Sequence, residues 1–559
     1  MPLRLPRLAL IVGCLAAGAC SRTTDRPSAV LITLDTTRAD AMGCFGGKPG
    51  VTPRLDAFAR ECIAYDEAAT TAPLTLPAHA SMLTGLYPPR HGVRDNLLTA
   101  VPPEALTLAE LARDSGCATA AFVSASVLER PWGLAQGFDV YDEPGANRPG
   151  PLSHVDERSS PETVAKARAW LRGRDRTRPF FLWVHVYDAH SPYRPDARFL
   201  AQAGGDAYRG EIAEADDSIG KLLDELRADP SWGRTTVLVA ADHGESLGEH
   251  GEPTHSILCY RACLRVPFLV RHPDGWRAGQ HSQETVSVVD AFPTLAAALG
   301  LVSPAGIDGI DLDHHAVGDD RGAYFESYAG YLNHGWSPIV GWIDRRGKYV
   351  DGGAPEYYAF GTDPAESIDL AVSGGVDLTR YRSRIAEVAA RTTLPIAGST
   401  VAEDTRSAQA GRLGYAAAGD ASKAPPKPLE PTGLPRPRDR MNELAAYYAA
   451  VDRANAGDLA GSIADLQTIV ESNPGNVAAL DMMGALLIRL GRWNEARAAL
   501  ERMLARGPDR VTTRTNLGRC CENAGDLAQA LVHYRRALEL KPGAPDQAGD
   551  VARVTALLR

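Results

Sequence analysis

The chain has 559 residues, of which 44% are hydrophobic and 23% are charged, a composition typical of globular domains. Its length predicts more than one domain. The net charge of -10 is mild for this length and provides no basic surface, so we exclude nucleic acid as a partner.

Residues 1–20 predict a signal peptide. Two arginines precede an apolar run at residues 8–19, which is too short to cross a bilayer as a helix. The run ends at Cys20 in a pattern that resembles a bacterial lipoprotein signal, and Cys14 is an alternative processing site. A multiply acylated cysteine would anchor the chain firmly to a membrane. We therefore expect an exported protein, periplasmic or at the cell surface, either lipid-anchored at Cys20 or secreted without an anchor.

Residues 21–417 predict an α/β domain with a largely parallel sheet between helices. Continuous apolar runs at 28–34, 180–186 and 235–241 are typical of strands that are buried on both faces of a sheet. Helical patterns at 161–172 and 206–228 alternate with them, as in layered α/β folds. Further strands are expected at 118–123 and 266–270, and further helices at 105–115 and 288–299.

Residues 418–442 predict a Pro/Ala-rich linker that acts as a semi-stiff spacer, and residues 443–559 predict an all-α solenoid. The windows 443–476, 477–510 and 511–544 align without gaps, with Pro474, Pro508 and Pro542 at the same repeat position. This pattern resembles the tetratricopeptide repeat. Three repeats and a final capping helix predict a concave surface for a protein partner, and a purely structural appendage is the alternative.

The stretch from Thr71 to Asn96 contains the candidate nucleophile. Pro77 suits the first turn of a short helix, and Gly85 suits its end. Thr75 is then expected on the turn just before this helix, where the positive end of the helix dipole favours negative charge. A hydroxyl at that position is a plausible nucleophile, although an ordinary helix cap is the alternative.

Acidic and histidine residues follow three of the predicted strands, where open α/β sheets place their sites. These residues are Asp35, then Asp188 with His190, then Asp242 with His243, and His255 lies further along the last segment. Asp35, Asp242 and His243 could bind a divalent cation, with the Thr75 oxygen as a further ligand. Such mixed oxygen and nitrogen ligands allow Zn, Ca, Mg or Mn.

Several stretches together resemble the sulfatase family of the alkaline phosphatase superfamily. They are VLITLDTTRAD, LTLPAHASMLTGLYPPRHGV, PFFLWVHVYDAHSPY, ADHGESLGEHGE with the later His255, LRVPFLV and PEYYAFGTDPAES. The resemblance implies the α/β sandwich of that superfamily and an anionic ester as substrate. It also implies that Asp35, Thr75, Asp242 and His243 bind one metal. His190 or His255 would then be the general acid that protonates the leaving oxygen.

The nucleophile segment departs from the sulfatase pattern. Sulfatases convert a Cys or Ser in C/S-x-P-x-R to formylglycine, whereas this chain has Thr75-Leu-Pro-Ala-His79. Thr75 cannot be converted in that way, so no formylglycine is expected. Thr36 stands where the family has a second metal-binding acid, which removes one carboxylate from the site.

The same segment also resembles the threonine-nucleophile phosphodiesterases of the superfamily, the nucleotide pyrophosphatase/phosphodiesterase type. In those enzymes an asparagine 21 positions after the threonine helps to bind the charged oxygen, and Asn96 lies at that spacing. They use two zinc ions, and a second metal here could recruit Asp188, His190 and His255. We leave the second metal open. His79, Arg94 and Asp188 are assigned to substrate binding.

The sequence therefore predicts an exported, metal-dependent hydrolase that cleaves a sulfate or phosphate-type ester through a covalent intermediate on Thr75. The alternatives are a phosphodiesterase, a phosphonate hydrolase or a phospho-headgroup transferase. A further alternative is a weakly active or inactive scaffold that acts through its repeats.

Overall fold

The computed structural model describes residues 25–145, 157–313, 317–318, 320–373, 375–398, 425–507, 509–543 and 545–559. The predicted signal peptide, with Cys14 and Cys20, lies outside these residues, as does Pro508. Among the described residues, no helix has both the length and the apolar character needed to cross a membrane.

Fourteen strands form three sheets in the described parts of the chain. In chain order they are β1 Ser28–Leu34, β2 Ile63–Ala69, β3 Thr99–Ala100, β4 Ala118–Phe122, β5 Val140–Asp142, β6 Phe180–Val186, β7 Thr235–Ala241, β8 Phe268–Arg271, β9 Gln280–Ser287, β10 Gly322–Ser327, β11 Ile339–Asp344, β12 Gly347–Asp351, β13 Pro355–Tyr358 and β14 Ala397–Gly398.

The main sheet has eight strands in the order β5-β4-β6-β1-β7-β8-β2-β9. Five of its seven neighbour pairs are parallel, and only the two pairs made by β8 are antiparallel. β1 lies in the middle, with β6 on one side and β7 on the other. All seven residues of each of these three strands are buried, because helices cover both faces of the sheet. The predicted α/β fold with a largely parallel sheet is confirmed.

Eleven α-helices lie in the described residues of this α/β part. They are α1 Pro53–Ala59, α2 Thr75–Thr84, α3 Pro88–His91, α4 Leu108–Asp114, α5 Ser160–Gly173, α6 Ala197–Gln202, α7 Ala207–Ala228, α8 Arg261–Leu264, α9 Ala291–Ala298, α10 Ala329–His334 and α11 Thr379–Ala389.

Two features of this part differ from the sequence prediction. The strand expected at 266–270 is β8, Phe268–Arg271, and it runs antiparallel to its neighbours. A four-stranded antiparallel sheet, β10-β11-β12-β13, was not predicted. Its strands carry aromatic side chains, including buried Tyr324, Tyr349 and Tyr358, which pack between this sheet and the rest of the domain.

The C-terminal region consists of paired helices with short turns, as the 34-residue period predicts. The helices are α12 Met441–Asn455, α13 Leu459–Ser472, α14 Val477–Arg489, α15 Trp493–Leu504, α16 Val511–Asn523, α17 Leu527–Leu540 and α18 Pro545–Leu557. Small residues allow the helices of a pair to approach closely. At Gly484, for example, an added Cβ would lie 2.7 Å from Leu500 Cδ2.

The described part of the predicted linker, residues 425–440, is bound to the α/β part rather than free. The backbone N–H of Ser337 donates to the carbonyl of Pro435 at 2.8 Å, and Ser337 Oγ donates to the carbonyl of Leu434 at 2.9 Å. Arg436 and Arg438 both pair with the buried carboxylate of Glu356. The expected semi-stiff spacer is therefore a docked segment over these residues.

The repeat helices also contact the α/β part directly. Asn473 Nδ2 donates to the backbone carbonyl of His334 at 2.8 Å, and the Tyr447 ring packs edge-on against the His334 ring. Gly335 and Gly475 approach so closely that a Cβ on Gly335 would lie 2.6 Å from the Gly475 carbonyl oxygen. Gly335 has a φ of 68°, which also favours glycine.

Candidate active site

Two neighbouring parallel strands bring the predicted metal ligands together. β1 and β7 pair in register up to Leu34 and Ala241, so the residues that follow them lie side by side at the carboxyl edge of the sheet. Asp35, Asp242 and His243 are all at most 1% exposed. One ligand atom from each lies within 4.8 Å of the others.

In each of these three side chains, one polar atom is held by the protein. Asp242 Oδ1 accepts from the backbone N–H groups of Thr36 and His243, at 3.2 and 2.7 Å. Asp35 Oδ2 lies 3.2 Å from His185 Nε2. His243 Nδ1 lies 2.9 Å from the carbonyl of Gly244 and therefore carries the proton that it donates there.

Each of these three side chains also has a second polar atom that can bind a cation. Asp35 Oδ1 and Asp242 Oδ2 are buried and have no hydrogen-bond partner. His243 Nε2 keeps its lone pair, because Nδ1 holds the proton. Buried polar atoms without partners are costly, and a cation bound among these three would satisfy them. The residues thus fit a divalent metal ion.

The electrostatics of Asp35 and Asp242 also favour a bound cation. Burial, and then the charge of Asp242, raise the pKa of Asp35 well above its usual range. Burial raises the pKa of Asp242 to about 6. Two carboxylates buried side by side repel each other when both are ionised, and a divalent cation between them reverses this effect.

The backbone at Thr36 contributes to this arrangement. Thr36 has a φ of 47°, an uncommon conformation for a β-branched residue. In this conformation its N–H reaches Asp242, and its hydroxyl donates to the carbonyl of Ala189 at 2.6 Å. Thr36 therefore orients Asp242, a candidate metal ligand, through its backbone.

Thr75 lies beside this cluster at the start of α2. Its hydroxyl oxygen is 3.5 Å from His243 Nε2, and the residue is 1% exposed. Thr75 is the first residue of the helix rather than part of the preceding turn, because the helix begins two residues before Pro77. The prediction that the helix ends at Gly85 is correct, since Gly85 is left-handed with a φ of 68°. The hydroxyl therefore lies at the positive end of the helix dipole, next to the candidate metal ligands.

His79, predicted to bind substrate, lies behind Thr75 instead. It is fully buried one helical turn along α2, with Nδ1 2.8 Å from the Thr75 carbonyl and Nε2 3.0 Å from the Thr33 hydroxyl. Its Nδ1 is also 3.7 Å from Asp242 Oδ2. Protein groups thus lie against both ring nitrogens of His79, and one of them belongs to Thr75, the candidate nucleophile. A role of His79 in substrate binding stays a prediction.

The other two predicted substrate-binding residues also have structural contacts. Arg94 pairs with Glu326 at 3.2 Å, and its guanidinium lies 4.2 Å from the centre of the Tyr328 ring. Asp188 accepts from the backbone N–H of Ser160 at the start of α5. Both side chains thus have contacts within the protein, and their roles in substrate binding stay predictions.

Asn96 reaches the nucleophile segment. Its Oδ1 accepts from the backbone N–H of Leu76, the residue after Thr75, at 2.8 Å. This bond fixes the amide so that Nδ2 is the remaining donor, and Nδ2 is buried without a partner. A donor held in this way beside Thr75 is suited to stabilise a charged oxygen on a reacting ester.

His190 and His255 lie together on the same side as His243. The His255 ring is 4.5 Å from the His243 ring and 5.2 Å from the His190 ring, measured between centres. Both are buried, and burial lowers the pKa of each to about 3. His190 Nδ1 lies 2.7 Å from the carbonyl of Ser191.

Glu245 joins this group and was missed by the sequence analysis. It lies 3.0 Å from His255 Nδ1 and accepts from the Tyr193 hydroxyl at 2.9 Å. Glu245 can thus stabilise the positive charge when His255 carries a second proton. Its position two residues after His243, in the ADHGE segment, is the signal that could have identified it.

His185, the partner of Asp35, was also missed, because it lies within the apolar run of β6. Its Nδ1 accepts from the backbone N–H of Ser124 at 3.3 Å, so Nε2 holds the proton that faces Asp35. His79, His185 and Asp242 form a second group with metal-ligand spacing, but both histidines use their nitrogens in hydrogen bonds. The suggested second metal on Asp188, His190 and His255 does not appear among the metal-ligand groups of the described residues.

Comparison with known proteins identifies the families that the two parts of the chain match. The sequence profile of the sulfatase family matches residues 27–301, and a tetratricopeptide-repeat profile matches residues 482–545. An ulvan-active sulfatase of Formosa agariphila is 27% identical over 331 residues, which are 51% of this chain and 64% of that protein. Human N-acetylgalactosamine-6-sulfatase is 26% identical over 338 residues, 51% of this chain and 65% of that protein.

Solved structures share the fold. A phosphonate monoester hydrolase of Agrobacterium radiobacter, 22% identical, superposes with a TM-score of 0.53 over 65% of this chain and 94% of that one. A putative sulfatase of Bacteroides fragilis, 21% identical, gives a TM-score of 0.56 over 66% and 96%. The chain thus contains a sulfatase-family domain at residues 27–301, followed by a tetratricopeptide-repeat region.

Proposed function

We propose that the sulfatase-family domain hydrolyses a sulfate or phosphate-type ester, with Thr75 as the nucleophile. One observation supports this most directly. Ligand atoms of Asp35, Asp242 and His243 converge beside the Thr75 hydroxyl, and one carboxylate oxygen of each aspartate has no hydrogen-bond partner. Neither the fold nor the family decides which ester is cleaved, because substrate choice depends on the site.

A divalent metal, when bound, would neutralise charge on the anionic ester and lower the pKa of the Thr75 hydroxyl. Asp35, Asp242, His243 and Thr75 would hold it, a set of two carboxylates, one imidazole and one hydroxyl. This small mixed set suits zinc or manganese better than calcium, which prefers six to eight oxygen ligands.

The chain's own residues then divide the reaction between them. The Thr75 hydroxyl releases its proton to water as its oxygen forms a bond to sulfur or phosphorus and the bond to the leaving oxygen breaks. Asn96 Nδ2 donates to a non-bridging oxygen. His255, with Glu245 behind it, or the adjacent His190 gives a proton to the leaving oxygen. Water then attacks the Thr75 ester, which releases the acid and restores the hydroxyl.

Two further parts of the proposal come from the sequence. Residues 1–20 support export to the periplasm or cell surface, with a lipid anchor at Cys20. The tetratricopeptide repeats support binding of a protein partner through their concave face.

The test compares aryl sulfate, phosphate monoester, phosphodiester and phosphonate substrates of one leaving group. Wild type and Thr75→Ala, both beginning after Cys20, are assayed after metal removal and with zinc, manganese, magnesium or calcium added. We expect one ester to be preferred, with metal-dependent turnover that Thr75→Ala reduces at least 1,000-fold. Wild-type turnover that survives in Thr75→Ala would rule out Thr75 as the nucleophile. If the wild-type protein turned over none of the four esters with any of the four metals, a scaffold role would be favoured.

A further inference from the structure

The first repeat helix, α12, packs against the hydrolase domain next to the candidate active site. Met441 and Leu444 belong to the same buried apolar cluster as Leu74, Ile257 and Trp336. Leu74 directly precedes Thr75, and Ile257 lies two residues after His255. The inner face of α12 is therefore part of the hydrolase core on the side of the reactive residues.

A small cavity of about 20 Å³ lies at this contact. On the hydrolase side it is lined by Leu74, Asn96 and Ser256. Leu74 precedes Thr75 in the chain, and Ser256 follows His255. Asn96 accepts a hydrogen bond from the residue after Thr75. On the repeat side it is lined by Tyr447 and Tyr448 of α12. The cavity thus connects residues beside the nucleophile and beside the candidate acid with two aromatic side chains from the repeat region.

One polar group points to a ligand at this position. Asn96 Nδ2 is buried and has no partner, and Asn96 is 1% exposed. The cavity has room for about one water molecule, too little for an ester with its leaving group. Thr75 and His255 are themselves only 1% and 3% exposed. Any substrate that reaches Asn96 from this side must therefore displace or pack against the tyrosines.

Tyr448 is the more exposed of the two tyrosines and contacts the segment that holds His255. Tyr447 is 9% exposed and also belongs to the core of the repeats, whereas Tyr448 is partly exposed and packs on the edge of that core. Tyr448 interacts with Thr254, the residue before His255. A change at Tyr448 would thus alter the cavity wall with less effect on the repeat core.

We propose that α12 forms a wall of the substrate pocket and that Tyr448 is a specificity-determining residue for the hydrolase domain. The proposal rests on the proposed function, because the substrate is the ester that Thr75 attacks. The repeat region then has a second role beside partner binding, which is to limit the size of the group attached to the ester. The aromatic rings, with Asn96 and Asn333 nearby, suit a leaving group that has an apolar face and several hydrogen-bonding groups.

The primary experiment measures access to position 75 without any turnover. Thr75→Cys is placed in the full chain after Cys20, and its modification by methyl methanethiosulfonate and by fluorescein maleimide is followed by mass spectrometry of the peptide that contains residue 75. Tyr448→Ala and Tyr448→Leu are combined with it. Met482→Ala is the matched control, because Met482 occupies the same repeat position 34 residues later and is also partly buried against the repeat core.

We expect both Tyr448 variants to accelerate modification of Cys at position 75 at least tenfold relative to Thr75→Cys alone. The increase should be larger for the bulky maleimide than for the small reagent. Met482→Ala should leave both modification rates within twofold of Thr75→Cys alone. Equal rates in the Tyr448 and Met482 variants would overturn the proposal. The leucine variant keeps an apolar side chain on α12 and controls for unfolding, which is followed by circular dichroism. Faster modification seen only in an alanine variant that has unfolded would also refute the role of Tyr448.

A kinetic measurement with Thr75 intact then separates this inference from the proposed function. Tyr448→Leu is expected to change kcat/KM for a bulky ester relative to a small one at least fivefold, with Met482→Ala unchanged. Loss of all Thr75-dependent turnover in wild type would refute the proposed function, whereas an unchanged ratio in Tyr448→Leu would refute the role of Tyr448.

Discussion

His185 offers a direct test of how the metal centre is built. Its Nε2–H faces Asp35 Oδ2 at 3.2 Å, and its Nδ1 accepts from the Ser124 N–H. The ring therefore holds Oδ2 of Asp35, while Oδ1 has no hydrogen-bond partner. His185→Phe keeps a buried ring of similar size but removes both hydrogen bonds. Residues that orient a metal ligand in this way are typically worth roughly 10- to 100-fold in metal affinity. This corresponds to about 1.4–2.8 kcal/mol of binding free energy.

The same substitution also affects stability, so it needs a matched control. His185→Phe leaves a backbone donor and a carboxylate oxygen unpaired, at about 1–3 kcal/mol for each group. His91 is also fully buried, with Nδ1 accepting from the Val93 N–H and Nε2 3.1 Å from Ser81 Oγ. His91→Phe therefore removes an equivalent pair of hydrogen bonds, and its partners are not candidate metal ligands.

The assay is zinc affinity of the full chain, measured by competition with a chromophoric chelator, alongside urea unfolding of the metal-free proteins. We expect both variants to lose similar stability and only His185→Phe to lose zinc affinity, by roughly 10- to 100-fold. Zinc binding by His185→Phe within twofold of His91→Phe would refute the inference that His185 positions a metal ligand.

Three further predictions concern the nucleophile, the acid and the domain contact. Thr75→Ser retains a hydroxyl and is expected to keep measurable turnover in steady-state assays. Thr75→Val keeps the shape of the side chain but has no hydroxyl, and it is expected to abolish turnover. Equal activity of the two variants would contradict nucleophilic attack by Thr75. His255→Asn is expected to lower kcat more for an alkyl than for a nitrophenyl leaving group, because only the poor leaving group needs a proton; equal losses would exclude His255 as the acid. Burial lowers the pKa of His334 to about 4, below the usual 6.5. Its contribution to stability is therefore complete above pH 6.5 and declines by about 3 kcal/mol as the pH falls from 6.5 to 4, where the unfolded chain binds a proton that the folded protein does not. Urea unfolding at pH 7 and pH 4 should therefore show a smaller acid loss in His334→Gln than in wild type, and an equal loss would argue against this origin.

The parts of the fold that sequence could predict are those with strong local patterns. β1, β6 and β7 are continuous apolar runs buried on both faces, and their observed bounds equal the predicted ones. By contrast, β2 and β9 contain charged and polar residues because they lie toward an edge of the sheet, and no local pattern marked them as strands.

Some features of the candidate site could likewise be predicted from sequence, and others could not. Asp35, Asp242 and His243 were predictable because each follows a recognisable strand, and parallel neighbours bring such residues together. The contacts of His79 and Arg94 could not be predicted from sequence, because their partners, Thr33 and Glu326, are distant in sequence. The position of α12 beside the site likewise depends on docking between two regions that sequence treats as separate.

The close approach of Gly335 and Gly475 has a consequence for any partner of the repeats. No side chain fits at the contact around Gly335, and Arg436 and Arg438 fasten the preceding segment to Glu356, so the first repeat is held at a fixed position relative to Thr75. An ester attached to a protein bound by the repeats would then experience a high effective concentration at the nucleophile only if its tether matched that span. Under this arrangement, the length of the tether, rather than the affinity of the repeats, would select which bound molecules are hydrolysed.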